Sequence, residues 1–166
     1  GESALEENET PPHNQHYKTV MRALHVGKPI VGMQVTDLLA VFHYLKTRAD
    51  VDPAHIAVFG KHNGGLVALY AAALEPGVWK VVCEDAVSSY LDIARAKVHR
   101  GVMDTLVPGV LLDFDIPDVV QSIAPRPVWI VNPRTPVGAL MPSGAARIRP
   151  DGTPLVEAYR DWLRLD

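Results

Sequence analysis

Val35, Leu38, Leu39, Phe42 and Leu45 fall at spacings of three and four, which predicts an amphipathic helix ending near Arg48, with Thr36 or Asp37 to cap its start. Upstream, Tyr17 to Val26 has the character of a short helix that Gly27-Lys28-Pro29 breaks. After the turn-forming Asp50-Val51-Asp52-Pro53, the run His55 to Phe59 is short, apolar and partly β-branched, so it predicts a buried strand. Gly64 to Leu74 is rich in alanine and leucine, which suits a helix lying close on a sheet, and Glu75-Pro76-Gly77 ends it. The pattern then recurs: a strand over Val78 to Cys83, a helix over Ser88 to Val98, a short helix over Pro117 to Ile123, and a strand over Val128 to Val131 cut off by Asn132-Pro133. Leu155 to Leu165 predicts a last amphipathic helix anchored by Trp162.

Strands that are apolar on both faces and alternate with helices predict an α/β fold, a three-layer αβα sandwich around a short, mainly parallel sheet. Composition agrees, since 48% hydrophobic content over 166 residues is enough for one core, assigned to residues 17–166. Residues 1–16 carry Glu2, Glu6, Glu7 and Glu9 with Pro11-Pro12 and read as a disordered acidic lead rather than a signal peptide. A net charge of -3 with scattered basic residues gives no footprint for nucleic acid, and no apolar run approaches membrane-spanning length. Cys83 is the one cysteine; it rules out an intrachain disulfide, reads as a small core residue, and tilts the expected compartment towards the cytoplasm.

In a parallel sheet, ligands gather beyond the carboxyl ends of the strands. Three predicted loops lie there: Gly60 to Asn63, Glu84 to Ser89, and Asn132 to Gly138. The first, Gly60-Lys61-His62-Asn63-Gly64, keeps the glycines of a G-x-S-x-G strand-to-helix turn but puts His62 where the serine would stand. An imidazole there is chemically competent as a general base or nucleophile if Glu84 or Asp85, at the adjacent strand end, orients it, with Ser88, Ser89 or Thr135 nearby. The same His62 with Glu84 or Asp85 is the candidate metal site, although no third ligand stands at a recognisable spacing. His13 and His16, three apart, fall in the lead, and His25, His43, His55 and His99 read as isolated surface histidines.

Several segments together resemble an α/β-hydrolase of the acetyl-xylan-esterase and dienelactone-hydrolase type. They are Gly27-Lys28-Pro29-Ile30-Val31-Gly32, Val51-Asp52-Pro53-Ala54-His55-Ile56, Gly64-Gly65-Leu66 and Ala71-Ala72-Ala73. Val107-Pro108-Gly109-Val110-Leu111, Phe114-Asp115-Ile116-Pro117-Asp118 and Ala124-Pro125-Arg126-Pro127 with Asn132-Pro133 extend the resemblance to about Gly138. It implies that the chain starts partway through the family fold, without its first strands.

The resemblance also assigns roles. The nucleophile position holds His62, the acid position after Asn132-Pro133 holds Thr135, and the backbone N–H of Asn63 corresponds to half of an oxyanion hole. Beyond His99 the sequence has no histidine, so the order of serine, acid and histidine is not completed. The expected function is therefore an esterase-lineage domain without the usual triad activity that binds a small ligand. The alternatives are an ester hydrolase using His62 with Glu84 or Asp85, or a metal-dependent site at His62; no cofactor is assigned. An unpaired edge on the His55–Phe59 strand further predicts a homodimer, or the N-terminal segment folded over that edge.

Overall fold

The computed structural model describes residues 15–141. Helix α1 (Gln15–His25) leads through the Gly27-Lys28-Pro29 break into α2 (Ile30–Lys46). Strand β1 (Ala57–Lys61), helix α3 (Asn63–Leu74) and strand β2 (Lys80–Glu84) follow. Helices α4 (Tyr90–Arg95) and α5 (Ile116–Ser122) then precede strand β3 (Val128–Val131). The strands form one parallel sheet in the order β1-β2-β3, flanked by helices: a short α/β-hydrolase-like sheet. β1 is an edge of this described sheet.

The three strands share a register that puts Val58, Val81 and Val128 on one face and Phe59, Val82 and Trp129 on the other. The first face meets α3, whose Leu66 and Leu69 are each 1% exposed. Burying each such leucine contributes about 2 kcal/mol. On the other face Val82, Trp129 and Val131 form a separate small cluster. Cys83, 2% exposed, lies on the α3 side, and burial pushes its thiol up to about 12. Ellman's reagent is accordingly expected to leave the native thiol untouched and to react fully only after denaturation. Stoichiometric reaction of the native protein would contradict this packing.

Several predicted boundaries shift. α1 begins at Gln15, so the predicted lead loses its last two residues to a helix, and His16 Nε2 lies 2.8 Å from Asp104 Oδ1. Residues 1–14 of that lead, with His13, lie outside the described residues, as does the predicted Leu155–Leu165 helix. α2 starts at Ile30 rather than at a Thr36 or Asp37 cap. Pro29, with φ -57°, already carries the backbone to the helix start, and Thr36 Oγ1 donates to Gly32 O inside the helix. α4 is shorter than predicted, because Ser89 is its N-cap, accepting from Asp92 N, and Ala96 returns to extended backbone.

Two polar residues fasten the elements that carry the strand ends. Asp115 caps α5 in a capping box with Asp118 and also accepts from Ser89 Oγ (2.6 Å) and Tyr90 N (2.6 Å) at the start of α4. Arg126 donates to Ala72 O (2.7 Å), Glu75 O (3.1 Å) and Val78 O (3.0 Å), closing the C-terminal end of α3. The orphaned carbonyls of a helix end favour such a cation.

Candidate functional site

β1 reverses into α3 through a single residue, His62, whose backbone stands at φ 53° and ψ -126°. A side-chain-bearing residue held there costs on the order of 1–3 kcal/mol, which the surrounding packing must offset. Two glycines permit the turn. A Cβ on Gly60 would lie 2.0 Å from Gly64 O, and one on Gly65 would lie 2.6 Å from Cys83 Sγ. A Cβ on Gly64 would meet nothing within 4 Å, so the steric frame is Gly60 and Gly65 rather than the predicted Gly60 and Gly64.

The same event occurs at each strand end. Asp85 follows β2 at φ 55° and Asn132 follows β3 at φ 48°. The ladder runs on into this row, with His62 N donating to Glu84 O (2.8 Å) and Asp85 N to Val131 O (2.9 Å). The three predicted loops therefore do converge. Together with residues 100–102 they line a cavity of about 470 Å³ that includes His62, Asn63, Asp85, Arg100, Arg134 and Thr135.

Each candidate residue has a definite position there. Asp85 pairs with Arg134 and Lys61 rather than with His62: its Oδ1 accepts from Arg134 Nε (3.0 Å) and Nη2 (2.7 Å), and Lys61 Nζ stands 3.4 Å from its Oδ2. Burial disfavours the charged form of Asp85, but the Arg134 guanidinium, with Lys61 behind it, outweighs this and holds the carboxyl below the usual carboxylate range. Glu84 is paired with Lys61 at 3.7 Å, and its contact with His62 is through backbone. Ser88 Oγ points to Met141 Sδ (3.0 Å), and Ser89 is occupied as a helix cap with Asp115. Thr135 lines the cavity but also closes its own turn, its Oγ1 accepting from Ala139 N (3.2 Å).

Asn63 is the first residue of α3, so its backbone N–H has no acceptor within the helix, while its side chain lies 3.4 Å from Asp104 Oδ2. Among the described residues the His62 imidazole makes no hydrogen bond or ion pair. Every other described histidine does have a partner: Asp104 for His16, Met21 O for His25, Glu75 for His43, Asp52 for His55 and Ile93 O for His99. His25, His43, His55 and His99, read from sequence as isolated surface residues, are exposed and each has a hydrogen-bond partner. No three His, Cys, Asp or Glu side chains stand together to hold a metal ion among the described residues.

Arg100 and Arg134 escaped the sequence reading. Arg134 sits three residues beyond β3 and bridges to Val87 and Leu140, prolonging the sheet into the cavity wall. Its position inside a strand-end loop opposite an acidic strand end was a usable signal. Arg100 enters from a segment between helices, for which the sequence carried none.

The chain matches the prolyl oligopeptidase family over residues 30–102. It is 33% identical over 107 residues to "Putative hydrolase YtaP" of Bacillus subtilis (strain 168), covering 63% of this chain and 35% of that protein. It also superposes on the crystal structure of a "putative acetyl xylan esterase" from Bacteroides fragilis NCTC 9343 with a TM-score of 0.61 and 16% identity, over 92% of this chain and 52% of that one. The chain thus spans about a third of the length of the curated relative and about half of the solved structure. No helix among the described residues is long and apolar enough to cross a membrane.

Proposed function

Because the chain belongs to the α/β-hydrolase superfamily, with esterase-like relatives, we propose that it is a non-hydrolytic member in which the strand-to-helix elbow serves to bind a small ligand. The observation that carries this reading is the state of His62. It occupies the elbow in the strained backbone of a nucleophile position and lines the cavity, and among the described residues no carboxylate pairs with it.

Acyl transfer by the usual route needs a nucleophile, a base and a group that fixes the base. Here the one carboxylate lining the cavity among the residues above, Asp85, is neutralised by Arg134 and Lys61 and accepts hydrogen bonds from Arg134 rather than from an imidazole. Loss of triad members removes on the order of a million-fold in turnover. The backbone N–H of Asn63 and the shape of the cavity remain, and these are binding features.

The test is hydrolysis of p-nitrophenyl acetate and butyrate by the wild type, His62→Ala and His62→Ser. All three are expected to match the buffer rate, the serine variant included, because no described residue beside position 62 is placed to take its proton. Wild-type turnover that disappears in His62→Ala overturns the reading and makes His62 a catalytic residue.

A further inference from the structure

Among the described residues, the lining of the elbow cavity has an imbalance of charge that its own pairs do not cancel. Asp85 is met by Arg134 through two nitrogens, and Lys61 lies between Glu84 and Asp85, at 3.7 Å and 3.4 Å. These two cations and two anions offset one another. Asp104, beside Asn63, is engaged from the other side by His16 and does not line the cavity. Arg100 is left over: its backbone N–H is held by Pro136 O (2.8 Å), which fixes the segment, while its guanidinium has no partner among the described residues.

We propose that this cavity binds a small organic monocarboxylate, its carboxylate on Arg100 and its apolar body against Ala86, Val87 and Val102. The inference rests on the binding role proposed above and names the class of ligand. A guanidinium presents a planar fork of donors that matches the two oxygens of a carboxylate. One excess positive charge is balanced by a monoanion, whereas a phosphate dianion would leave a surplus negative charge beside Asp85. His62, facing the same space without a partner, supplies a ring nitrogen for a second polar contact. The Arg134 fork is already turned to Asp85 and to Gly138 O (3.3 Å), so it sets the wall rather than the ligand contact. About 470 Å³ lies within the range of small-molecule sites and accommodates an acid of a few carbons.

The experiment is a two-dimensional amide NMR titration of the full chain with sodium butyrate, with butyramide, and with inorganic phosphate, repeated on Arg100→Ala and Arg100→Lys. Butyrate is expected to shift the amides of Asn63, Gly101 and Thr135 saturably, with Kd on the order of millimolar for so few ligand atoms. Arg100→Ala is expected to weaken that binding at least about tenfold, with partial recovery in Arg100→Lys, since a lysine restores charge but not the fork. Butyramide binding as tightly as butyrate, phosphate binding more tightly, or Arg100→Ala binding unchanged each overturns the proposal. The ester assay reports separately. His62-dependent turnover with Arg100-dependent butyrate binding would sink the non-hydrolytic reading and leave the carboxylate site standing.

Discussion

Gly60→Ala is expected to cost at least about 3 kcal/mol of folding stability, a fall in Tm of roughly 10 °C, read by thermal or urea denaturation. The added methyl would sit 2.0 Å from Gly64 O and 2.4 Å from Gly64 C. Both atoms are backbone, so the overlap cannot be relieved by a rotamer change; β1 and α3 must part, and the helix that fills the core moves with them. Gly64→Ala is the matched control. Its new methyl meets nothing within 4 Å, and it lies inside α3, where alanine is favoured over glycine by up to about 1 kcal/mol. Gly64→Ala is therefore neutral to stabilising. Equal stability of the two variants would show that the elbow is not packed as described.

The second large effect is at Asp115. Its carboxylate accepts from Ser89 Oγ, Tyr90 N and Ile116 N at 2.6, 2.6 and 2.7 Å, so one side chain serves the starts of both α4 and α5. Asp115→Ala removes the α5 cap together with the acceptor for Tyr90 N and for the α4 cap Ser89, and is expected to destabilise by about 2–4 kcal/mol. Asp115→Asn, which keeps an acceptor oxygen, is expected to lose less.

The same bonds predict a pH dependence. Burial raises the Asp115 carboxyl, but Ser89 and the backbone N–H groups of Tyr90, Ile116 and Leu91 outweigh this, so it stays below the ordinary value. A carboxyl depressed on folding contributes stability that is full above its unfolded value, near 4, and is lost as pH falls through the lower folded value. Denaturation midpoints of the wild type are expected to decline over that acid range, more steeply than those of Asp115→Ala. Parallel declines would remove Asp115 as the source.

The fold was legible where side-chain pattern and backbone pairing coincide, and was shifted where they part. Val128–Val131 is predicted and observed with the same ends, since Asn132-Pro133 breaks the strand in both senses. β1 and β2 instead run two residues and one residue further than their apolar runs, to Lys61 and Glu84. These two are register partners of opposite charge, so the ladder continues through residues that periodicity counts as loop. The convergence of three strand-end loops followed from sheet geometry alone. The orientation of Asp85 did not, because its partner Arg134 stands 49 residues away in sequence and local reading offered His62 as the nearer base. The caps at Ser89 and Asp115 belong to the same class: each side chain has a local role that sequence reading can assign, and a long-range bond that it cannot.

The Arg126 guanidinium has a mechanical consequence for the cavity. It grips carbonyls at the far end of α3 while Gly60 and Gly65 seat the near end against the sheet, so the helix can neither piston nor tilt without breaking one of these seats. The stretches 100–102 and 134–138 face this seat and are tied to each other by Arg100 N–H on Pro136 O (2.8 Å). Substitutions in those two rims are therefore expected to reshape the cavity without disturbing the elbow, which forms its unyielding floor.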